Sequence, residues 1–276
     1  MTHLVRIGFL AVWFQASLAL SNKGVAAAPI KLVSWNVLYG FNHGQAIKES
    51  GQWIGKQAPD IVAFQELNGI TEAKLSLVAK AWGHTYAVTH KEDGFPVGLT
   101  SKEPITVIHR QTEGFHHGFL HCRTYGIDLL VVHFWPGKNH EVAHVLKRGR
   151  ALLEQGKSVM IVGDLNGCSR KDRDFLLTHA TLRTLDYSVV DMIEADGFID
   201  LVHKHDPLAK VSCPSMITIP KWSKDLDELK KKQYRIDFIF ADPSLAKQSH
   251  SGTISLAPEI KQMSDHFPVV VEFHHP

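Results

Sequence analysis

Short, almost wholly apolar runs recur along this chain, and each is closed by a residue that can do chemistry. Lys31-Leu32-Val33-Ser34 leads into Trp35-Asn36-Val37, and Asp60-Ile61-Val62-Ala63 leads into Phe64-Gln65-Glu66. Ile127-Asp128-Leu129-Leu130-Val131-Val132 ends at His133, and Ser158-Val159-Met160-Ile161-Val162 ends at Gly163-Asp164-Leu165-Asn166. Arg235 to Phe240 and Phe267 to Phe273 have the same character and carry Asp237, Asp265 and His266 at or beside their starts. Runs this short, bounded by turn residues, fit strands buried on both faces better than core helices. The pattern predicts a sheet protein whose polar functional groups gather at strand ends.

Helical patterns separate these strands and predict helices over Gly44 to Gln57, Thr71 to Trp82, Asn139 to Gln155 and Asp172 to Ala180. The third places Val142, Val145, Leu146, Gly149, Leu152 and Leu153 on one face, as expected of a surface helix packed on a sheet. No repeat, low-complexity tract or Pro/Gly-rich linker interrupts the 276 residues, so one α/β domain over 29–276 is expected. A net charge of +2 and a pI near 8.4 neither demand nor exclude a polyanionic partner; affinity for one would have to come from local patches.

Arg6, the apolar stretch Ile7 to Leu20 and the small residues through Ala28 have the layout of a secretory signal peptide, too short and too interrupted for a membrane span. Residues 1–28 are therefore expected to be removed, leaving a secreted or periplasmic protein. Cys122, Cys168 and Cys213 remain, with no CxxC spacing, which argues against a cysteine zinc site. One disulfide plus a free thiol, or three buried thiols, are both compatible with that count.

Taken in order, Asn36, Glu66, His133, Asp164 with Asn166, Asp237 and Asp265-His266 resemble the endonuclease/exonuclease/phosphatase superfamily, whose members include deoxyribonucleases, abasic-site endonucleases, inositol-polyphosphate phosphatases and sphingomyelinases. The resemblance covers about residues 31–273, and Ser101-Lys102-Glu103-Pro104-Ile105 matches a further, structural segment. It implies a four-layered fold, a two-sheet β-sandwich flanked by helices, and a metal-dependent phosphoesterase. The chemistry of the residues agrees. A phosphodiester is screened by its negative oxygens, so its hydrolysis needs charge neutralisation, a positioned water and a stabilised leaving oxygen. Glu66 is a hard oxygen ligand suited to Mg²⁺, with Mn²⁺ a possible substitute; Asp265 would ligate or support the metal, and Asn36 would orient Glu66 or touch a metal-bound water. Asp164 would activate the attacking water while Asn166, two residues on and on the same side if strand geometry persists, donates to a phosphoryl oxygen. His266, its ring held by Asp237, would bind or protonate a phosphate oxygen, and His133 would contact phosphate or act as general acid.

These readings predict a secreted Mg²⁺-dependent phosphodiesterase, with an endonuclease acting on DNA first among substrates. A sphingomyelinase-like phospholipid hydrolase is the alternative enzyme, with Phe115-His116-His117-Gly118-Phe119 as a thin candidate for a bilayer contact; a non-catalytic extracellular binding module is the alternative class. A nucleic-acid groove would draw on Lys221, Lys224, Lys230, Lys231, Lys232 and Arg235, although a run of lysines is most simply a solvated surface. His140-Glu141-Val142-Ala143-His144 satisfies HExxH, the helical zinc-protease pattern, without its usual downstream third ligand. No obligate protein partner and no membrane span beyond the signal are expected.

Overall fold

In the computed structural model, which describes residues 28–179 and 185–275, β1 (Ile30–Asn36) leads through α1 (Ile47–Gln57) into β2 (Ile61–Gln65). Helix α2 (Glu72–Ala79) then enters the antiparallel pair β3 (Tyr86–Thr89) and β4 (Gly98–Ser101). A meander of β5 (Thr106–Gln111), β6 (Phe119–Thr124) and β7 (Ile127–His133) passes through α3 (Asn139–Glu154) into β8 (Ser158–Asp164). Beyond it come α4 (Arg173–His179), α5 (Ser188–Ala195), the two-residue β9 (Ile199–Asp200), α6 (Leu201–His205) and α7 (Leu226–Lys230). The chain closes with β10 (Asp237–Ala241), α8 (Pro243–Gln248), β11 (Ser249–Ile254) and β12 (Val269–Phe273). The expected secretory segment lies outside the described residues except for Ala28.

The strands form two mixed six-stranded sheets, ordered β11-β12-β1-β2-β4-β3 and β5-β6-β7-β8-β10-β9. Each contains one parallel pair, β1/β2 and β7/β8, joined by α1 and α3, because parallel neighbours need a crossover connection. This is the helix-flanked two-sheet sandwich that the strand pattern and the resemblance predict.

Side-chain alternation explains where the polar strand ends point. Leu129, Val131, Met160, Val162, Ile239 and Ala241 join the core shared with the first sheet. Their neighbours Leu130, Val132, Val159, Ile161, Phe238 and Phe240 pack instead with Val142, Val145 and Leu146 of α3 and Val189, Val190 and Ile193 of α5. Extending the inward alternation by one step gives His133 after Val131, Asp164 after Val162 and Asp237 before Ile239. On the first sheet Trp35 packs edge-on against Trp53 of α1, with ring centroids 5.4 Å apart, so its neighbour Asn36 faces the opposite sheet. The candidate residues are thus the last rungs of the core ladder, at one edge of the sandwich.

Element ends depart from expectation for local reasons. Helix α1 starts at Ile47 rather than Gly44 because Leu38 to His43 all have φ between 45° and 71°, a left-handed stretch that a right-handed helix cannot continue. Helix α2 is capped by Thr71, whose hydroxyl accepts from Lys74 N–H at 3.2 Å, and tightens into a 3-10 turn over Lys80–Trp82. Helix α4 begins at Arg173 after a 3-10 turn over Arg170–Asp172, and the predicted last residue, Ala180, lies outside the described residues. Strand β10 starts at Asp237, not Arg235, because the Arg235 guanidinium is buried between Asp172 and Asp200, each 2.7 Å away. That pairing removes Arg235 from any nucleic-acid groove. Gly163 is required by close approach rather than by a turn: at φ 146° a Cβ would sit 2.0 Å from the Val132 carbonyl oxygen of β7.

Candidate active site

Register brings the strand ends together before any loop contributes. His133 pairs with Asp164 across β7/β8, and Asp164 pairs with Asp237 across β8/β10. On the other sheet Asn36 closes β1 beside Gln65, the last residue of β2, and Glu66 follows at φ 59°. Strand β12 runs antiparallel to β1, so Asp265 and His266, just before it, return to the same edge. All eight predicted site residues lie along this edge.

Asp164 is the centre of the arrangement. Its Oδ2 accepts from Asn36 Nδ2 at 3.0 Å and lies 3.5 Å from His133 Nε2 and 3.8 Å from His266 Nε2, while Oδ1 accepts from Asn166 N–H at 2.9 Å. Burial raises its pKa, the Asp237 carboxylate adds to the rise, and His266 opposes it. A carboxylate so placed is a stronger base than an exposed aspartate.

The His266 ring is held from the other side. Its Nδ1 lies 2.8 Å from Asp237 Oδ2, and that same oxygen accepts from Ser212 Oγ at 2.7 Å. Ser212 Oγ in turn accepts from the N–H groups of Ile236 and Asp237, at 2.9 and 3.1 Å. Burial disfavours the imidazolium, but Asp237, Cys213, Asp265 and Asp164 together outweigh it and lift the His266 pKa well above the usual histidine value. His133 is the opposite case: burial, reinforced by His117 and His266, pushes its pKa well below the usual value, and its Nδ1 has no partner among the described residues. One imidazole is held charged and one neutral within reach of the same carboxylate.

Glu66 and Asp265 complete the site. Glu66 Oε1 accepts from Asn36 Nδ2 at 3.2 Å and Oε2 from Tyr39 N–H at 3.0 Å, and burial raises its pKa, with Asp265 contributing. The Asp265 pKa is likewise raised by burial, against the pull of His266. Asn36 Oδ1 accepts from Leu38 N–H at 3.1 Å, so its amide is oriented with nitrogen toward both carboxylates and it holds them rather than offering them a ligand oxygen. Asn166 has φ 47°, so strand geometry does not persist beyond Asp164; its Nδ2 donates to the Phe134 carbonyl at 3.0 Å.

Three positioning groups lie outside the predicted set of site residues. Ser212 fixes Asp237. Ser264 Oγ donates to the Asn36 carbonyl at 2.7 Å and accepts from His266 N–H at 3.1 Å, tying the Asp265-His266 loop to β1. Trp35 Nε1 donates to the His266 carbonyl at 3.0 Å. Ser264 could be suspected from its place beside Asp265-His266, whereas nothing in the sequence marks Ser212.

The competing motifs lie elsewhere. Within His140–His144 both histidines are exposed, but Glu141 is buried and its Oε1 accepts from His116 N–H at 2.7 Å, so it serves the main chain and not a metal-bound water. Among the described residues, the clusters of three metal-ligating groups are Cys213-Asp265-His266 and Asp164-Asp237-His266, both at the strand-end site. Cys122, Cys168 and Cys213 are buried free thiols, and burial pushes the last two up to about 12. Phe119 is fully buried and Phe115 packs against the second core, so Phe115–Phe119 presents no apolar hairpin to a bilayer. The lysine stretch is largely exposed and includes α7, as a solvated segment should.

Residues 33–266 match the profile of the Endonuclease/Exonuclease/phosphatase family. The chain belongs to this family. Members of the Endonuclease/Exonuclease/phosphatase family hydrolyse phosphoester bonds. Solved structures of similar fold include an AP endonuclease from Archaeoglobus fulgidus, at 19% identity and TM-score 0.66 over 88% of this chain and 99% of that one. A substituted form of the 3′ phosphatase NExo from Neisseria, bound to product DNA hairpin, aligns at 16% identity and TM-score 0.71, again over 88% and 99%. The 3′-5′ exonuclease NExo from Neisseria meningitidis aligns at 17% identity and TM-score 0.68 over 89% and 100%. At these identities they establish the fold. Among curated proteins none matches the sequence.

Proposed function

We propose that this family member is an exported, divalent-metal-dependent phosphodiesterase that cleaves DNA. The observation that carries the catalytic part is Asp164 Oδ2 lying within 3.8 Å of Asn36 Nδ2, His133 Nε2 and His266 Nε2 at once. Such a carboxylate accepts a proton from an attacking water while the His266 imidazolium, steadied by Asp237, meets the negative phosphoryl oxygens. His133, held neutral, hydrogen-bonds a phosphoryl or leaving oxygen without competing for the same charge. Asn36 keeps Asp164 and Glu66 at fixed separation.

The donor set fits a hard divalent cation. Glu66 and Asp265 are carboxylates whose mutual repulsion helps raise the Glu66 pKa, the first half-buried and the second buried, a surplus of negative charge that Mg²⁺ or Mn²⁺ would relieve. A cation held there would neutralise phosphoryl charge and stabilise the leaving oxygen. DNA as substrate is supported by neighbours of the same fold that are described as an AP endonuclease and as a 3′ phosphatase bound to product DNA hairpin. Export is supported by the amino-terminal pattern of residues 1–28.

The test is hydrolysis of plasmid DNA, single-stranded DNA, sphingomyelin vesicles and bis(p-nitrophenyl) phosphate, each with Mg²⁺ and with EDTA, beside Glu66→Ala and His266→Ala. DNA cleavage that needs the metal and disappears in both variants is expected. Cleavage of sphingomyelin alone, or activity untouched by either variant, would overturn the reading.

A further inference from the structure

A continuous chain of rings crosses the site and surfaces at both ends. Tyr39 lies 5.6 Å from Phe95, which lies 4.8 Å from His117 and 6.3 Å from His133. The His117 and His133 rings lie 4.1 Å apart, tilted by 41°; His117 meets Trp135 edge-on at 5.4 Å, and His116 lies 4.1 Å from Trp135 with the rings tilted by 34°. The middle is closed, with His117 and His133 only 2% and 3% exposed, whereas Tyr39 and Trp135 are 41% and 42% exposed. Exposed tryptophan and tyrosine are not needed by the core, and each is anchored to the chemistry: Tyr39 N–H donates to Glu66, and Trp135 follows His133 by two residues.

We infer that Tyr39 and Trp135 are the two ends of a base-stacking cradle, and that the substrate is a nucleic acid whose bases on either side of the scissile phosphate are unpaired. This rests on the phosphodiesterase reading above and narrows it to single-stranded substrate. Two aromatic side chains flanking the reacting phosphate can take up only bases that have left the duplex stack, since paired bases already have both faces covered. The surroundings match a polyanion. Lys91 is close enough for its charge to act on His90 and His117, with Asp93 opposing it at His90, and Lys138 close enough to act on Glu141 beside His116. Tyr39 is further held by stacking on His43, ring planes 8° apart and centroids at 5.1 Å, so little side-chain freedom is lost when a base packs against it.

The test compares cleavage, in Mg²⁺, of a short single strand, the same sequence as duplex, and a strand of equal length built wholly from stable abasic analogues. The full-length protein should favour the natural single strand at least tenfold over both. Trp135→Ala and Tyr39→Ala should each raise KM for the natural strand roughly five- to 150-fold, as loss of one to three kcal/mol of stacking predicts, with kcat nearly unchanged. Neither should weaken the abasic strand further, because its bases are already missing, and Trp135→Phe should restore most of the loss. Equal rates on strand and duplex, or an equal penalty on the abasic strand, would overturn the cradle while leaving the nuclease reading intact. Cleavage of bis(p-nitrophenyl) phosphate with no DNA cleaved would instead fail the nuclease reading itself. Trp135-dependent turnover of sphingomyelin vesicles would assign the rings to lipid and overturn the proposal.

Discussion

Asn36 Nδ2 lies 3.0 Å from Asp164 Oδ2, a hydrogen bond that leaves β1 in one sheet and ends on β8 in the other. The same nitrogen reaches Glu66, so one amide sets the spacing between the proposed base and the proposed metal ligand. Asn36→Ala should therefore lower kcat/KM about ten- to hundred-fold, the kinetic equivalent of losing a hydrogen bond to a charged group. It should also weaken Mg²⁺ activation, measured as the concentration giving half-maximal rate. Unchanged kinetics would show that the cross-sheet bond is incidental.

Ser212 is expected to act through Asp237 on His266. Ser212→Ala removes a 2.7 Å donor from the Asp237 oxygen that holds the ring, so activity should fall about tenfold while the fold survives. The imidazolium is favoured by Asp237, and the ring becomes less well held when that carboxylate is free to turn. Ser212→Thr keeps the hydroxyl and should recover most of the rate; a Thr variant as slow as the Ala variant would argue for a packing role.

Acid should loosen the fold through its buried neutral histidines. Burial pushes His90 and His117 down to about 4, from an ordinary value near 6.5 in the unfolded chain. The folded form therefore binds fewer protons than the unfolded form between those values. Stability from these two groups is complete above pH ~6.5 and is lost as pH falls toward 4, by up to a few kcal/mol. The buried carboxylates with raised pKa values, Glu66, Asp164 and Asp265, contribute with opposite sign, so the comparison must be between variants. His90 Nδ1 accepts from Val97 N–H and its Nε2–H donates to the His117 carbonyl, contacts that a Gln amide can imitate. Urea midpoints of wild type and His90→Gln should diverge less at pH 5 than at pH 7.5, because the variant escapes the protonation penalty.

Arg235 is expected to matter for stability rather than substrate. It is 1% exposed, pairs with Asp172 and Asp200, and lies over the Phe238 ring at 4.4 Å. Arg235→Gln leaves buried Asp200 without its cation and Asp172 with Lys210 alone, 2.6 Å away, and should cost about 3–5 kcal/mol in urea unfolding. A variant of full stability with weakened DNA binding would reverse this assignment.

The three thiols should be silent in the folded protein. Cys122, Cys168 and Cys213 are buried, and burial raises all three pKa values. An aromatic disulfide reagent at pH 8 should titrate none of them natively and all three in guanidinium; rapid native labelling of any one would contradict the packing.

The strands that carry the site were legible because both of their faces are buried: β1, β2, β7, β8 and β10 appear as largely apolar runs, interrupted only at positions such as Lys31 and Asp128. Strand β5 escapes such reading because it alternates exposed with half-buried residues, and β6 because His121 and Arg123 interrupt it, the ring hydrogen-bonded to and the guanidinium paired with Asp128 of β7. The short helices α6, α7 and α8 have too few turns to show a period. Asn36, Glu66, Asp164 and His266 could be picked out because each closes or precedes such a run. Ser212 could not, since its partner is twenty-five residues away and meets it only through folding. The left-handed stretch at Leu38–His43 was also hidden, because Leu38, Tyr39 and Phe41 carry side chains that ordinarily avoid that conformation.

The alternation that carries Val131 into His133 and Val162 into Asp164 separates two kinds of inheritance. The groups proposed for hydrolysis are written into strand register, where a slip of one residue would turn each of them toward the helices and bring a hydrophobic side chain into the cleft. The rings of Tyr39 and Trp135 sit on connections outside that register. A lineage built on this frame can rewrite its connectors, lengthen them or exchange them, and change what it accepts as substrate while the reaction itself stays where the sheets hold it.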